Sequence, residues 1–176
     1  MYVFATNPSS TSAIAQYMKH FATRVIPHYT LSSRGPNFAA VSHNDNTLDW
    51  RGRLSANDLL NFDIPIPQNE GQIGQLLENA ERLLKSSRRM DVGKSVIFFI
   101  HGSPNNAMRA HFTKHLNDGH VVVVVSLQGD GADVRRLVDQ RASVIVVSGD
   151  DSTDTTVIQM LLMQTYPGKQ FFTYRS

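Results

Sequence analysis

The side chains of this chain that can do chemistry gather at the ends of apolar runs. The sharpest case is KSVIFFIHGSPNN, Lys94 to Asn106. Ser95 to Ile100 has the length and composition of a buried strand. His101-Gly102-Ser103-Pro104 stops it, and a helix-like segment follows from about Asn105 to Leu116. In open α/β sheets, ligands sit outside the carboxyl ends of such strands, which places His101 near the centre of any site. An imidazole there can ligate a transition metal, accept a proton or change charge near neutral pH. Metal binding needs further donors, and no second His or carboxylate lies at ligand spacing from His101. We read His101 as a hydrogen-bonded histidine closing a strand end.

Other candidates meet similar objections. His111 and His115 are spaced i, i+4 on one helix, a two-ligand geometry, but the Glu of HExxH is missing and both are read as surface histidines. His101-Gly102-Ser103-Pro104 is similar to the oxyanion loop of α/β-hydrolases. That chemistry needs a serine on a Gly-x-Ser-x-Gly elbow, and Ser148-Gly149 lacks the first glycine. Gln128-Gly129-Asp130-Gly131-Ala132-Asp133 opens a helix after a strand, as phosphate loops do. It has no lysine, and its two aspartates favour the helix N-terminus over an anion. Asp150-Asp151-Ser152-Thr153-Asp154 is read as the cap of the last helix. Trp50, beside Arg51 and Arg53, either anchors a partner or packs a sheet edge against a helix, and the second role is the commoner one.

Composition narrows the classes further. The 176 residues suit one domain spanning 1–176, and 41% hydrophobic content suits a packed core. With 17 basic and 15 acidic side chains the net charge is only +2. The pairs Arg88-Arg89 and Arg135-Arg136 are read as solvated faces, so no nucleic acid is expected. There is no cysteine, hence no disulfide, thiolate nucleophile or cysteine-type zinc site. No apolar run approaches ~18 residues, so no membrane insertion is expected. The start at Met1 shows no signal-peptide pattern, which fits either a cytoplasmic protein or a domain of a longer secreted one.

The elements that position these residues alternate. Tyr2 to Ala5 reads as a strand, followed by the turn Thr6 to Ser10 and a helix capped by Ser10 or Ser12. That helix carries Ile14, Tyr17, Met18, Phe21 and Val25 on one stripe. Phe38 to Ser42 and Thr47 to Arg51 form a hairpin. A short helix over Leu54 to Phe62 precedes the clearest helix, Gln72 to Lys85. Val121 to Val125 and Val144 to Val147 show no alternation and read as strands buried on both faces. A last helix covers Asp154 to Gln164, and Phe171 to Tyr174 has no clear place. Strands alternating with helices give an α/β doubly wound sheet. Its strand-end turns, holding Asn7, Ser9, Ser10, His101, Ser103, Gln128 and Asp130, are expected on one rim.

This succession resembles the von Willebrand factor type A (VWA) domain over nearly the whole chain. YVFATNPSS stands where that family has Asp-x-Ser-x-Ser after its first strand. NEGQIGQLLENAERLL stands at its loop and amphipathic helix, and VIFFIHGS at its strand ending in Asp-Gly. GHVVVVVSLQGDGADVRRLVDQRASVIVV fits the closing strand-helix-strand. The resemblance implies a Rossmann-like, mostly parallel six-stranded sheet of order 3-2-1-4-5-6, with one antiparallel hairpin strand and helices on both faces. The family's metal-ion-dependent adhesion site maps onto Thr6, Pro8, Ser10, Gly71 or Gln72, and His101. Only Ser10 keeps an expected ligand, and both carboxylates are gone. A hard cation such as Mg²⁺ wants carboxylate among its oxygens, so no adhesion-site metal and no cofactor are expected.

The resemblance therefore implies a non-enzymatic, metal-independent adhesion or protein–protein interaction module. Its parent would be a secreted extracellular-matrix or cell-surface protein, as in collagens that carry A-like domains. The partner would be a matrix or receptor protein, with self-association inside a larger chain a further option. The ligand rim would comprise Asn7, Ser9, Ser10, Gln72, His101 and Ser103. The competing expectation is a small α/β enzyme or nucleotide binder using His101 and the strand-end glycine loops.

Overall fold

Unbroken apolar runs mark strands covered on both sides, and the sheet obeys that rule. The computed structural model describes residues 1–28, 37–52, 56–87, 94–147 and 154–165. Its strands are β1 (Tyr2–Ala5), β2 (Phe38–Val41), β3 (Thr47–Arg51), β4 (Ser95–His101), β5 (Val121–Leu127) and β6 (Ser143–Val147). Its helices are α1 (Ser12–Val25), α2 (Ala56–Leu60), α3 (Gln72–Lys85), α4 (Asn106–Asn117), α5 (Gly131–Leu137) and α6 (Asp154–Thr165), with a 3-10 turn at Ile26–His28. The sheet order is β3-β2-β1-β4-β5-β6. Every neighbouring pair is parallel except β2 with β3. This is the expected order, with its one antiparallel strand.

The alternating Cβ directions of each strand feed two separate cores. Tyr2, Phe4, Phe99, Val123 and Val125 pack with α1, α2 and α6 on one face. Val3, Ala5, Phe98, Ile100, Val122 and Val124 pack with α3, α4 and α5 on the other. β1 and β4 lie at the centre, and the chain winds outward from them in both directions. The crevice between their carboxyl ends is the topological switch point, where open α/β sheets offer their binding cleft.

Several boundaries differ from the expectation. β4 runs one residue further, through His101, and β5 continues to Leu127, because each has a paired neighbour to the end. β6 is only partly buried rather than wholly so, since it is an outermost strand with one partner. α1 is capped by the Thr11 hydroxyl, which accepts the Ile14 N–H at 3.3 Å, and not by Ser10 or Ser12. The Ser10 hydroxyl is engaged elsewhere. α2 is five residues long as described, with Leu54 and Ser55 outside the described residues. Also outside them lie Gly35-Pro36, Arg53, Arg88-Arg89, Ser148-Gly149, Asp150 to Thr153 and the Phe171 to Tyr174 tail. Trp50 packs the β3 edge on α3, its Nε1 donating to the Leu83 carbonyl at 2.6 Å. No described helix is long and apolar enough to cross a membrane.

Candidate functional site at the strand-end rim

The turn after β1 and the end of β4 meet at the switch point, tied together by Asn7. Its Nδ2 donates to the His101 carbonyl at 3.0 Å. Its Oδ1 accepts from the Ser9 N–H at 3.0 Å and from the Ser9 hydroxyl at 2.7 Å. The Ser10 Oγ accepts the Asn7 N–H at 3.0 Å and lies 3.1 Å from His101 Nδ1. It also lies 3.3 Å from Asn7 Oδ1. Either tautomer of His101 is satisfied. A protonated Nδ1 donates to Ser10 while the hydroxyl donates to Asn7; a bare Nδ1 accepts from the hydroxyl. Asn7, Ser9, Ser10 and His101 thus form one hydrogen-bonded network that contains no carboxylate.

The position matching the family's first acidic ligand is bonded into the connector before α3. Thr6 is fully buried, and its hydroxyl donates to the Pro65 carbonyl at 2.7 Å. Ser42 and Asn46 donate to the Asp63 carbonyl at 2.7 and 2.6 Å, so the connector before α3 is stitched to the tips of β1 and β2. Gln72 does not join the network. Its Oε1 accepts the Gln68 N–H at 2.7 Å, folding the side chain back over its own loop. Ser103 is exposed two residues beyond His101 and takes no part in these bonds.

One rim residue escaped the sequence reading. His43, fully buried, sets its Nε2 2.8 Å from the Thr6 carbonyl and contacts the Gln72 backbone. Burial pushes its pKa below the ordinary value, against the raising effect of those two backbone carbonyls, which favours the neutral ring. The available signal was the one that marked His101, a histidine just past an apolar strand. His115, expected at the surface, is instead 1% exposed.

The arrangement offers little to catalysis or to phosphate. A hydroxyl 3.1 Å from an imidazole is nucleophile–base spacing, but that dyad needs a third group to orient the ring. Among the described residues no carboxylate is hydrogen-bonded to His101, and the Ser10 oxygen already accepts the Asn7 N–H. The glycine loop after β5 is likewise accounted for. Asp130 Oδ1 accepts the Ala132 and Asp133 N–H groups at 2.8 and 3.1 Å, occupying the first amides of α5. Gly129 packs so closely that an added Cβ would overlap Ser126 Oγ and stand 3.1 Å from the Gly102 carbonyl. Its missing side chain serves packing between β4 and β5.

No protein-family model and no curated protein sequence matches the chain. Solved structures do. Proximal thread matrix protein 1 from the mussel byssus superposes with a TM-score of 0.69 at 18% identity, over 93% of this chain and 45% of that one. The same protein with a zinc-occupied MIDAS motif gives 0.62 at 21% identity, covering 91% and 45%. A second crystal form gives 0.59 at 19% identity. This chain therefore spans less than half the length of that neighbour. The fold is VWA-like, as the order of its elements indicated.

Proposed function

We propose that this chain is a non-enzymatic, matrix-type protein-interaction module that works without a metal ion at its strand-end rim. The observation that carries the reading is the carboxylate-free hydrogen-bond network at the β1–β4 switch point. Where a VWA domain would place carboxylates around a cation, Asn7, Ser10 and His101 satisfy one another. A divalent cation binds such a site poorly, since no anionic oxygen offsets the loss of its water. The byssus neighbour, a matrix protein with a MIDAS motif, supports the class while differing in this chemistry. The rim of Asn7, Ser9, Ser10, His101 and Ser103 is the proposed contact surface, with Gln72 at its margin, and a matrix or receptor protein surface the proposed partner. A secreted parent chain fits that role.

The test is solid-phase binding of the purified chain to fibrillar collagen and other immobilised matrix proteins, in Mg²⁺ and in EDTA. Equal binding in both, reduced by Ser9→Arg or Ser103→Arg on the exposed rim, is the expected result. Binding that requires Mg²⁺ and is lost in Ser10→Ala would overturn the metal-free reading. Binding indifferent to every rim substitution would overturn the choice of surface.

A further inference from the structure

The opposite end of the sheet holds a second constellation. α4 runs back from the rim and ends at Asn117, and the chain enters β5 at Val121. Between them Asp118, Gly119 and His120 make a tight reversal. The His120 N–H donates to the His115 carbonyl at 3.0 Å and the Gly119 N–H to the Leu116 carbonyl at 3.1 Å. Gly119 has φ +78°. This is the six-to-one and five-to-two pattern of a Schellman turn, which brings the residue after the glycine back over the last turn of its helix. Here the two residues so apposed are both histidines, His115 and His120, with ring centroids 6.0 Å apart.

His115 is the anomaly. It is 1% exposed, packed near Phe98, and neither ring nitrogen has a hydrogen-bond partner. A buried polar group is nearly always satisfied, so an imidazole with both nitrogens unpaired calls for a missing partner. The neighbouring donors fit one. His115, Asp118 and His120 each offer one ligand atom, and these atoms lie within 4.8 Å of one another. Two imidazoles and a carboxylate form the three-ligand set of an open zinc site, with water in the fourth position. Tetrahedral bonds of about 2.0–2.1 Å require donors about 3.3–3.4 Å apart, so binding draws the exposed Asp118 and half-buried His120 inward toward His115. Lys94 and the Met1 amine oppose a cation beside His120, while Glu81, paired with Lys114, lies 3.1 Å from the His111 ring beside His115.

We propose that His115, Asp118 and His120 bind a zinc-class divalent transition metal that clamps the end of α4 to the start of β5. This site lies at the far end of the sheet from the rim and is independent of the rim's function. It is built by one turn of chain rather than by three loops.

The test is equilibrium dialysis of the full chain against Zn²⁺, with Co²⁺ as the spectroscopic probe. One ion per chain and visible d–d bands of a four-coordinate Co²⁺ site are expected. His120→Gln and Asp118→Asn, both at accessible positions, should each weaken binding about tenfold or more. Circular dichroism confirms that each variant remains folded. Ser10→Ala at the rim and His20→Gln on the exposed face of α1 should leave binding unchanged. Zn²⁺ binding at full strength in both turn variants, no binding in the wild-type chain, or loss of binding in Ser10→Ala would overturn the proposal. The last outcome would move the ion to the rim.

Discussion

At the scale of single residues, the rim depends on Asn7 more than on its exposed neighbours. Its side chain both donates to β4 and accepts from its own turn, joining segments 94 positions apart in the chain. Asn7→Ala leaves the His101 carbonyl without that donor and is expected to cost about 1–3 kcal/mol in urea denaturation. Ser9→Ala, at an exposed position, should stay within about 0.5 kcal/mol. The buried histidines set the acid limit. Burial pushes His115 down to about 4, with His120 and His111 adding to the lowering and Glu81 and Asp118 opposing it. Burial pushes His43 down as well. A histidine whose pKa is lower in the folded chain takes up its proton more readily when unfolded. Stability is then constant above the ordinary value of 6.5 and falls with acidity from there to the folded pKa. For His115 the loss between pH 6.5 and about 4 is on the order of 2–3 kcal/mol, measured by denaturation in EDTA across that range. His115→Leu should flatten that part of the curve; an unchanged slope would refute the assignment. His101 was legible as a strand-end histidine because its neighbours in the chain defined the strand. Its partners were not, since nothing local links position 101 to position 7. The i, i+4 spacing of His111 and His115 fixes a shared helix face but not whether that face is covered. That is how a buried ring came to be read as a surface one.

At the scale of elements, two glycines in the turns between strands and helices are required for different reasons, one by packing and one by backbone conformation. Gly129 sits against Ser126 and the Gly102 carbonyl, and Ser126 is itself buried and bonded to that carbonyl at 2.7 Å. Gly129→Ala therefore forces two strand ends apart and is expected to cost about 1–3 kcal/mol. Gly119→Ala meets open space but must hold φ +78°, so its cost should be about 1–2 kcal/mol, wholly from backbone strain. Comparing Gly119→Ala with Gly119→Asn, which tolerates that conformation better, separates strain from packing: recovery in the Asn variant is expected in thermal unfolding. The elements were the most legible level. The unbroken valines of β5 state burial on both faces, and the Ile73-Leu76-Leu77-Ala80-Leu83-Leu84 stripe of α3 states its buried face by periodicity. The ends were less so. Whether Ser10 or Thr11 caps α1 is decided by Asn7, whose N–H claims Ser10 first. The partial exposure of β6 follows from its place at the sheet edge, which depends on the order of strands.

At the scale of the molecule, one sheet separates two cores, and adjacent residues of β4 belong to different ones. Phe98 faces α3 and α4, its ring 4.7 Å from that of Phe112. Phe99 faces α1, stacked on Phe4 at 5.1 Å and edge-on to Phe21 at 5.9 Å. Neighbours in sequence are thus strangers in packing, while Phe4 and Phe99, distant in sequence, are partners. Additivity of mutational effects follows contact and not chain distance, which makes the two-core arrangement measurable. Phe98→Leu combined with Phe99→Leu should give the sum of the single effects to within about 0.5 kcal/mol, because no shared cavity connects them. Phe4→Leu combined with Phe99→Leu should depart from the sum by about 0.5–1.5 kcal/mol, the value of a stacked aromatic pair beyond its buried area. Leucine retains enough volume to keep the chain folded, whereas Phe→Ala costs about 3–5 kcal/mol per site and two such changes approach the whole stability of a domain. The reverse pattern in urea denaturation, coupling across the sheet and none within the Phe4–Phe99 stack, would mean that the sheet transmits strain between its faces. The rim and the turn after α4, set at opposite ends of that sheet, would then no longer be independent sites.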